Sequence, residues 1–251
     1  MTAPAAFHYL LALGDDRLIL GHRLSEWCGH GPILEEDIAL TNIALDLIGQ
    51  ATLFFKLAGA TEEKGRSEDD LAFLRDAVEF RNALIVELPR GDFAFTIVRQ
   101  MLFSVYSLLQ MEALASVTDA DVAGIAAKAA KETRYHVRHA TQWVVTLGDG
   151  TDESHRRAQD ALDELWRYTG ELFIATSSDS EAEKAGAGVN PETLSSSWHA
   201  QVGEILRTAG LEIPETGYMQ RGGREGRHTE HLGHLLSEMQ ILARSHPGAQ
   251  W

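Results

Sequence analysis

The chain has 251 residues, of which 44% are hydrophobic and 24% charged; it can bury a sizeable core, and its composition argues against disorder. A net charge of −15 repels nucleic acid and anionic membranes, so neither is expected as a partner. Cys28 is the single cysteine, which leaves no intrachain disulfide and fits a reducing, cytoplasmic setting.

The first stretch, MTAPAAFHYLLALGDDR, has no basic segment ahead of its apolar residues, so no secretory signal is expected. The period that follows is helical. Residues 15–28 put Leu20, Leu24 and Trp27 on one stripe, and GHGP at 29–32 stops it. Glu35, Glu36 and Asp37 then supply acids to the first turn of a second helix, where the dipole favours them. It carries Ile43, Leu47, Ile48, Phe54 and Phe55 and is expected to end near Gly59. This is the most apolar long stretch, but Asn42, Asp46, Gln50 and Lys56 make it amphipathic rather than membrane-spanning.

TEEKGRSEDD at 61–70 reads as a polar loop in which Ser67 and Asp70 form a capping box. A shorter helix with Leu71, Leu74 and Val78 follows, and the chain breaks at Pro89 and Gly91. Residues 92–116 make a long helix, apolar on much of its circumference, which suits a protein with both a core and an interface to fill. Asp119 caps the next helix, which runs to Leu147 and stops at GDG. Residues 151–173 form a fifth helix, and 177–192 read as a flexible loop. Asn190, Pro191 and Glu192 supply cap, first-turn proline and first-turn acid to another helix; GRHTEHLGHLLSEMQILARS is the last. No run alternates at period two. Four long helices with supporting ones predict an all-α bundle, and no linker forces a boundary, so 1–251 reads as a single domain.

The stretch KETRYHVRHATQW at 131–143 raises the question of metal. Glu132, His136, His139 and Trp143 recur at helical spacing. A di-iron carboxylate bundle takes one Glu from each of two helices and Glu-x-x-His from each of the other two. Here the second helix offers Leu47 and Gln50 at the Glu and His positions, and 133–136 has the His without the Glu. Few anionic side chains remain to offset two divalent cations in a low-dielectric core. The bland reading of His136 and His139 is a buried polar pair; the alternative is a stand-alone di-iron oxygenase with atypical ligands Glu26, Asp46, Glu132 and His136. His228, His231 and His234 repeat every three residues, a spacing zinc can use, but without HExxH they read as a polar helix face toward solvent or a partner. RGGREGR at 221–227 lacks the preceding strand of a phosphate-binding loop and reads as a flexible surface loop.

Several longer stretches carry a specific resemblance. LGDDRLILGHRLSEWCGHGP, ALTNIALDLIGQA, FRNALIVELPRGDFAFTIVRQ, KETRYHVRHATQW, LGDGTDES, LWRYTGELF and GRHTEHLGHLLSEMQILAR, in that order, resemble the C-subunit family of bacterial phenylacetyl-CoA epoxidases. The resemblance implies a ferritin-like four-helix bundle with additional supporting helices, without a metal site, and a non-catalytic structural role. It implies a complex with the catalytic A subunit, which carries the di-iron centre, and with further subunits including a reductase that uses FAD, an iron–sulfur cluster and NADPH. The chain alone is expected to hold no cofactor and is free to self-associate. The resemblance also implies contact with phenylacetyl-CoA near Glu79, Phe80, Arg81 and Asn82. Phe80 and Asn82 keep the family pattern there, whereas Glu79 and Arg81 depart from it. Arg81 is suited to a CoA phosphate on an otherwise negative surface; the competing reading makes Phe80 core and Arg81 a solvated charge.

Overall fold

The computed structural model describes residues 2–215 and 217–249; Met1, Thr216, Gln250 and Trp251 lie outside them. Among the described residues the regular structure is ten α-helices and four short 3-10 segments, with no strand, the all-α architecture expected of a ferritin-like chain. Two compact units divide the chain: Met1–Pro89 with Gly222–Trp251, and Arg90–Arg221. Each is built around one pair of long helices.

In the first unit the pair is α1 (Ala3–Ser25) and α2 (Leu34–Glu62). They run antiparallel: Arg17 bonds Gln50, and the backbone at Gly21 lies against Ala44 and Ile48. Helix α1 begins twelve residues before the expected start at 15. Asp15 and Asp16 look like a helix start in the sequence, yet both carboxylates are fully buried in mid-helix, where they serve long-range partners. Helix α2 passes through Gly59 instead of stopping there. A Cβ at Gly59 would lie 2.3 Å from the Arg66 carbonyl oxygen, so this glycine permits a close approach, and the turn comes at Glu63 with φ +58°.

The capping box at Ser67 and Asp70 is present in α3 (Glu68–Phe73), with the Asp70 amide donating to Ser67 Oγ at 3.1 Å and the Ser67 amide donating to Asp70 Oδ2 at 2.8 Å. The helix is shorter than expected. Leu74 and Val78, predicted on its apolar stripe, are exposed, and a 3-10 turn at Ala77–Glu79 replaces its second half. A one-turn helix, α4 (Leu84–Glu87), and the C-terminal α10 (Glu230–Ser245) complete this unit.

The second unit pairs α5 (Phe93–Leu114) with α6 (Ala120–Gly148), again antiparallel: Glu112 meets Arg134, and Phe93 meets Trp143. Asp92 and Asp119 cap them. Helix α5 is buried along most of its length, as its apolar circumference predicts. Helix α7 (Asp152–Trp166) is shorter than the expected 151–173, because a 3-10 segment takes over at Gly170–Phe173. The expected loop at 177–192 holds α8 (Ser177–Lys184), opened by a capping box between Thr176 and Asp179. Its Ser, Asp and Glu content suits a capped helix end as well as a loop, and Ala182 is buried. Asn190 caps the turn into α9 (Ser195–Thr208) as predicted. Trp198 of α9 is fully buried, donates from Nε1 to the Leu102 carbonyl at 2.9 Å, and packs against Trp166 and Phe173.

Candidate functional site

The turn 79–82 links a 3-10 segment, whose bonds satisfy the Glu79 and Phe80 amides, to α4, and the Arg81 and Ala83 amides beyond it have no helix or strand to satisfy them. The two buried aspartates of α1 do so. Asp15 Oδ2 accepts the Arg81 amide at 2.8 Å and Asp16 Oδ1 accepts the Ala83 amide at 2.8 Å. Adjacent buried carboxylates are costly unless each is paired. Arg75 forks onto Asp15, with Nη1 at 3.1 Å from Oδ2 and a second bond from Nη2 to Oδ1. Arg224 forks onto Asp16 at 2.9 and 2.8 Å and also donates to the Arg81 carbonyl at 2.8 Å. These are charge-assisted bidentate pairs, the geometry in which a guanidinium binds a carboxylate best.

A third carboxylate closes the network. Glu87 is fully buried and accepts from Asn82 Nδ2 at 2.8 Å, His228 Nδ1 at 2.7 Å, and the Thr229 amide and hydroxyl at 2.6 and 2.9 Å. His228 Nε2 faces the Phe80 carbonyl at 3.1 Å. Arg23 donates to the Glu87 carbonyl at 3.0 and 2.8 Å, to the His231 carbonyl at 2.8 Å and to Glu26 at 2.7 Å, and so ties the end of α1 to α4 and α10. Nearby, burial pulls the His22 imidazole below its ordinary value, with Glu26 opposing the shift.

The four residues of the turn therefore sit very differently. Glu79 is exposed and its carboxylate accepts the Asp76 amide at 2.8 Å. Phe80 is fully buried, with the Arg75 guanidinium 4.1 Å from its ring centroid. Arg81 is half-buried, and its Nη1 donates to the Val78 and Phe80 carbonyls at 2.7 Å each. Asn82 is fully buried, and its Oδ1 has no hydrogen-bond partner among the described residues.

RGGREGR is not the flexible surface loop expected. Gly222 and Gly223 are buried, and a Cβ on Gly223 would lie 2.2 Å from the Asn82 carbonyl oxygen. The glycines bring Arg224 in to Asp16. The three histidines also separate: His228 precedes α10 and belongs to the buried network, His231 is half-buried, and only His234 stands on an exposed helix face. Spacing alone missed Asp15, Asp16, Arg75, Glu87 and Arg224. The available signal was a pair of acids inside the apolar run LALGDDRLIL.

The residues considered as metal ligands do not fit a metal centre. Glu26 is exposed at the C-cap of α1 and paired with Arg23. Glu132 is half-buried, 3.8 Å from Lys128; Asp46 is half-buried on α2; His136 is buried on α6. The buried line of α6 runs through Ala129, Thr133, His136, Ala140 and Val144, so Glu132, His139 and Trp143 lie at its margin. Among the described residues no three of His, Cys, Asp or Glu are placed to hold a metal ion. At Gln50, where a di-iron bundle would carry His, the fully buried Arg17 guanidinium donates from Nε at 3.2 Å and lies 5.2 Å from the Phe54 ring centroid. A fixed cation there opposes a second one.

Comparison with known proteins agrees with this architecture. The C subunit of 1,2-phenylacetyl-CoA epoxidase from Escherichia coli (strain K12) is 46% identical over 243 residues, which cover 97% of this chain and 98% of that protein. Residues 1–251 match the family model described as phenylacetic acid catabolic protein. With a helical scaffold of this kind and a match along its whole length, the chain belongs to the phenylacetic acid catabolic protein family.

Proposed function

We propose that this chain is the non-catalytic structural subunit of a phenylacetyl-CoA epoxidase in aerobic phenylacetate degradation. It acts as one ferritin-like domain over 1–251 and stabilises the di-iron catalytic A subunit in a cytoplasmic complex. The chemistry lies elsewhere in that complex: di-iron in the A subunit, and FAD, an iron–sulfur cluster and NADPH in the reductase component. The observation that carries this reading is the buried Arg17 guanidinium bonded to Gln50, where a di-iron bundle would carry His, together with the lack, among the described residues, of any three His, Cys, Asp or Glu placed to hold a metal ion. Co-purification with the A subunit followed by iron counting per chain tests it. The expected result is a stable complex with iron in the A subunit, and an isolated chain that is colourless and inactive. About two irons in the isolated chain with oxygen-dependent turnover would replace this reading with a stand-alone di-iron oxygenase.

We further propose that the turn bearing Glu79, Phe80, Arg81 and Asn82 borders the acyl-CoA site of the complex. Phe80 and Asn82 shape the turn from inside, and Arg81, half-buried and held at Nη1, is the residue able to reach a phosphate. Arg81→Ala is expected to weaken phenylacetyl-CoA binding to the assembled complex by about tenfold, measured by equilibrium titration. Equal affinity of variant and wild type at low and high salt would leave Arg81 a purely structural anchor.

A further inference from the structure

Helix α2 is long and apolar enough to cross a membrane, yet its most apolar stretch is only half buried. The buried half faces inward with Leu40, Ile43, Leu47, Phe54 and Phe55. The other half is where the unused hydrophobicity lies. Leu34 is 72% exposed, Ile38 51% and Leu45 62%. With the half-buried Thr41, with Gly49, whose Cβ position meets open space, and with Thr52, they recur at three- and four-residue intervals on one line of the helix. The line extends for roughly 30 Å. No charged residue lies on it before Lys56, while Glu35 and Asp46 flank one edge and Asp37 the other. An uncharged strip of this length, with exposed apolar side chains at Leu34, Ile38 and Leu45, on a strongly acidic protein marks a docking surface.

The flanking charge decides the occupant. A second copy packed parallel would set acid edge against acid edge; packed antiparallel about Leu45 it would offer Glu35 and Asp37 only the uncharged residues 53–55 and Lys56, which already pairs with Glu68 at 3.3 Å, and each copy carries −15. Anionic membranes meet the same repulsion. We infer that the outward face of α2, centred on Leu45, is the seat of a non-identical subunit presenting an apolar helix face bordered by Lys and Arg. This inference rests on the subunit reading above and adds the surface and the chemistry of the partner.

The test titrates the full-length chain into the cognate epoxidase assembly prepared without it. Leu45→Lys is expected to weaken association at least tenfold, because it sets a cation into an apolar contact bordered by cations. Glu35→Gln is expected to reduce the salt dependence of the association rate. Ile241→Lys, equally exposed on α10, serves as the control and should bind as wild type does. The thermal midpoint of the isolated Leu45→Lys chain confirms that it is folded. Wild-type binding with equal binding by Leu45→Lys overturns the α2 surface and leaves the subunit reading standing. A homodimer of the isolated chain that Leu45→Lys dissolves, with hetero-association unchanged, assigns the face to a second copy and overturns the inference. A wild-type chain that binds none of the subunits overturns both.

Discussion

Asp15→Ala is expected to lower the unfolding free energy by about 3–5 kcal/mol, read as a shift of the urea midpoint at unchanged slope. The side chain is fully buried and carries two loads: it neutralises Arg75, itself nearly fully buried, and it accepts the Arg81 amide. Removing it strands a guanidinium in a low-dielectric site and leaves a backbone donor without its acceptor. Truncating the exposed Arg134, paired with Glu112 at 2.8 Å, should change stability by about 0–1 kcal/mol. Replacing both members of the buried pair, Asp15→Leu with Arg75→Met, should recover part of the loss, since apolar groups of similar volume avoid the desolvation cost. The single variant would also free the 79–82 turn, so acyl-CoA affinity of the complex should be measured alongside stability. If Asp15→Ala unfolds at the wild-type urea concentration, the network is not what holds this turn.

In the other unit the largest effect is expected at Trp198. Trp198→Ala should cost about 3–5 kcal/mol, because it opens a cavity where the indole now packs against Trp166 and Phe173. Trp198→Phe keeps an aromatic ring between those neighbours and loses chiefly the bond from Nε1 to the Leu102 carbonyl, a loss of about 1 kcal/mol. The urea midpoints of the two variants separate the effects, since both lose the indole and only the alanine variant leaves no aromatic ring between Trp166 and Phe173. Equal stability of Trp198→Ala and wild type would mean that α9 contributes nothing to the core of this unit.

Local rules read much of this fold correctly. Helical period located α2, α5, α6 and α10, and cap chemistry placed Ser67 with Asp70, Asp119 and Asn190. These depend on neighbours three or four residues away, which a sequence displays directly. The same rules misplaced the start of α1 and dissolved α8 into a loop, because Asp, Ser and Glu serve caps, loops and buried ion pairs alike. The stripe of α6 was read one residue off its buried line, since Glu132 and Trp143 share helical spacing with His136 without sharing its burial.

By itself the sequence determined the helical class, which follows from residue type and short-range spacing, and the family, which follows from the resemblance of long stretches in order. Tertiary structure alone decided what the charged residues do. Asp15 meets Arg75 across 60 positions, Asp16 meets Arg224 across 208, and Glu87 meets His228 across 141. Electrostatic pairing of that range depends on which groups lose water together, and burial is a property of the folded chain.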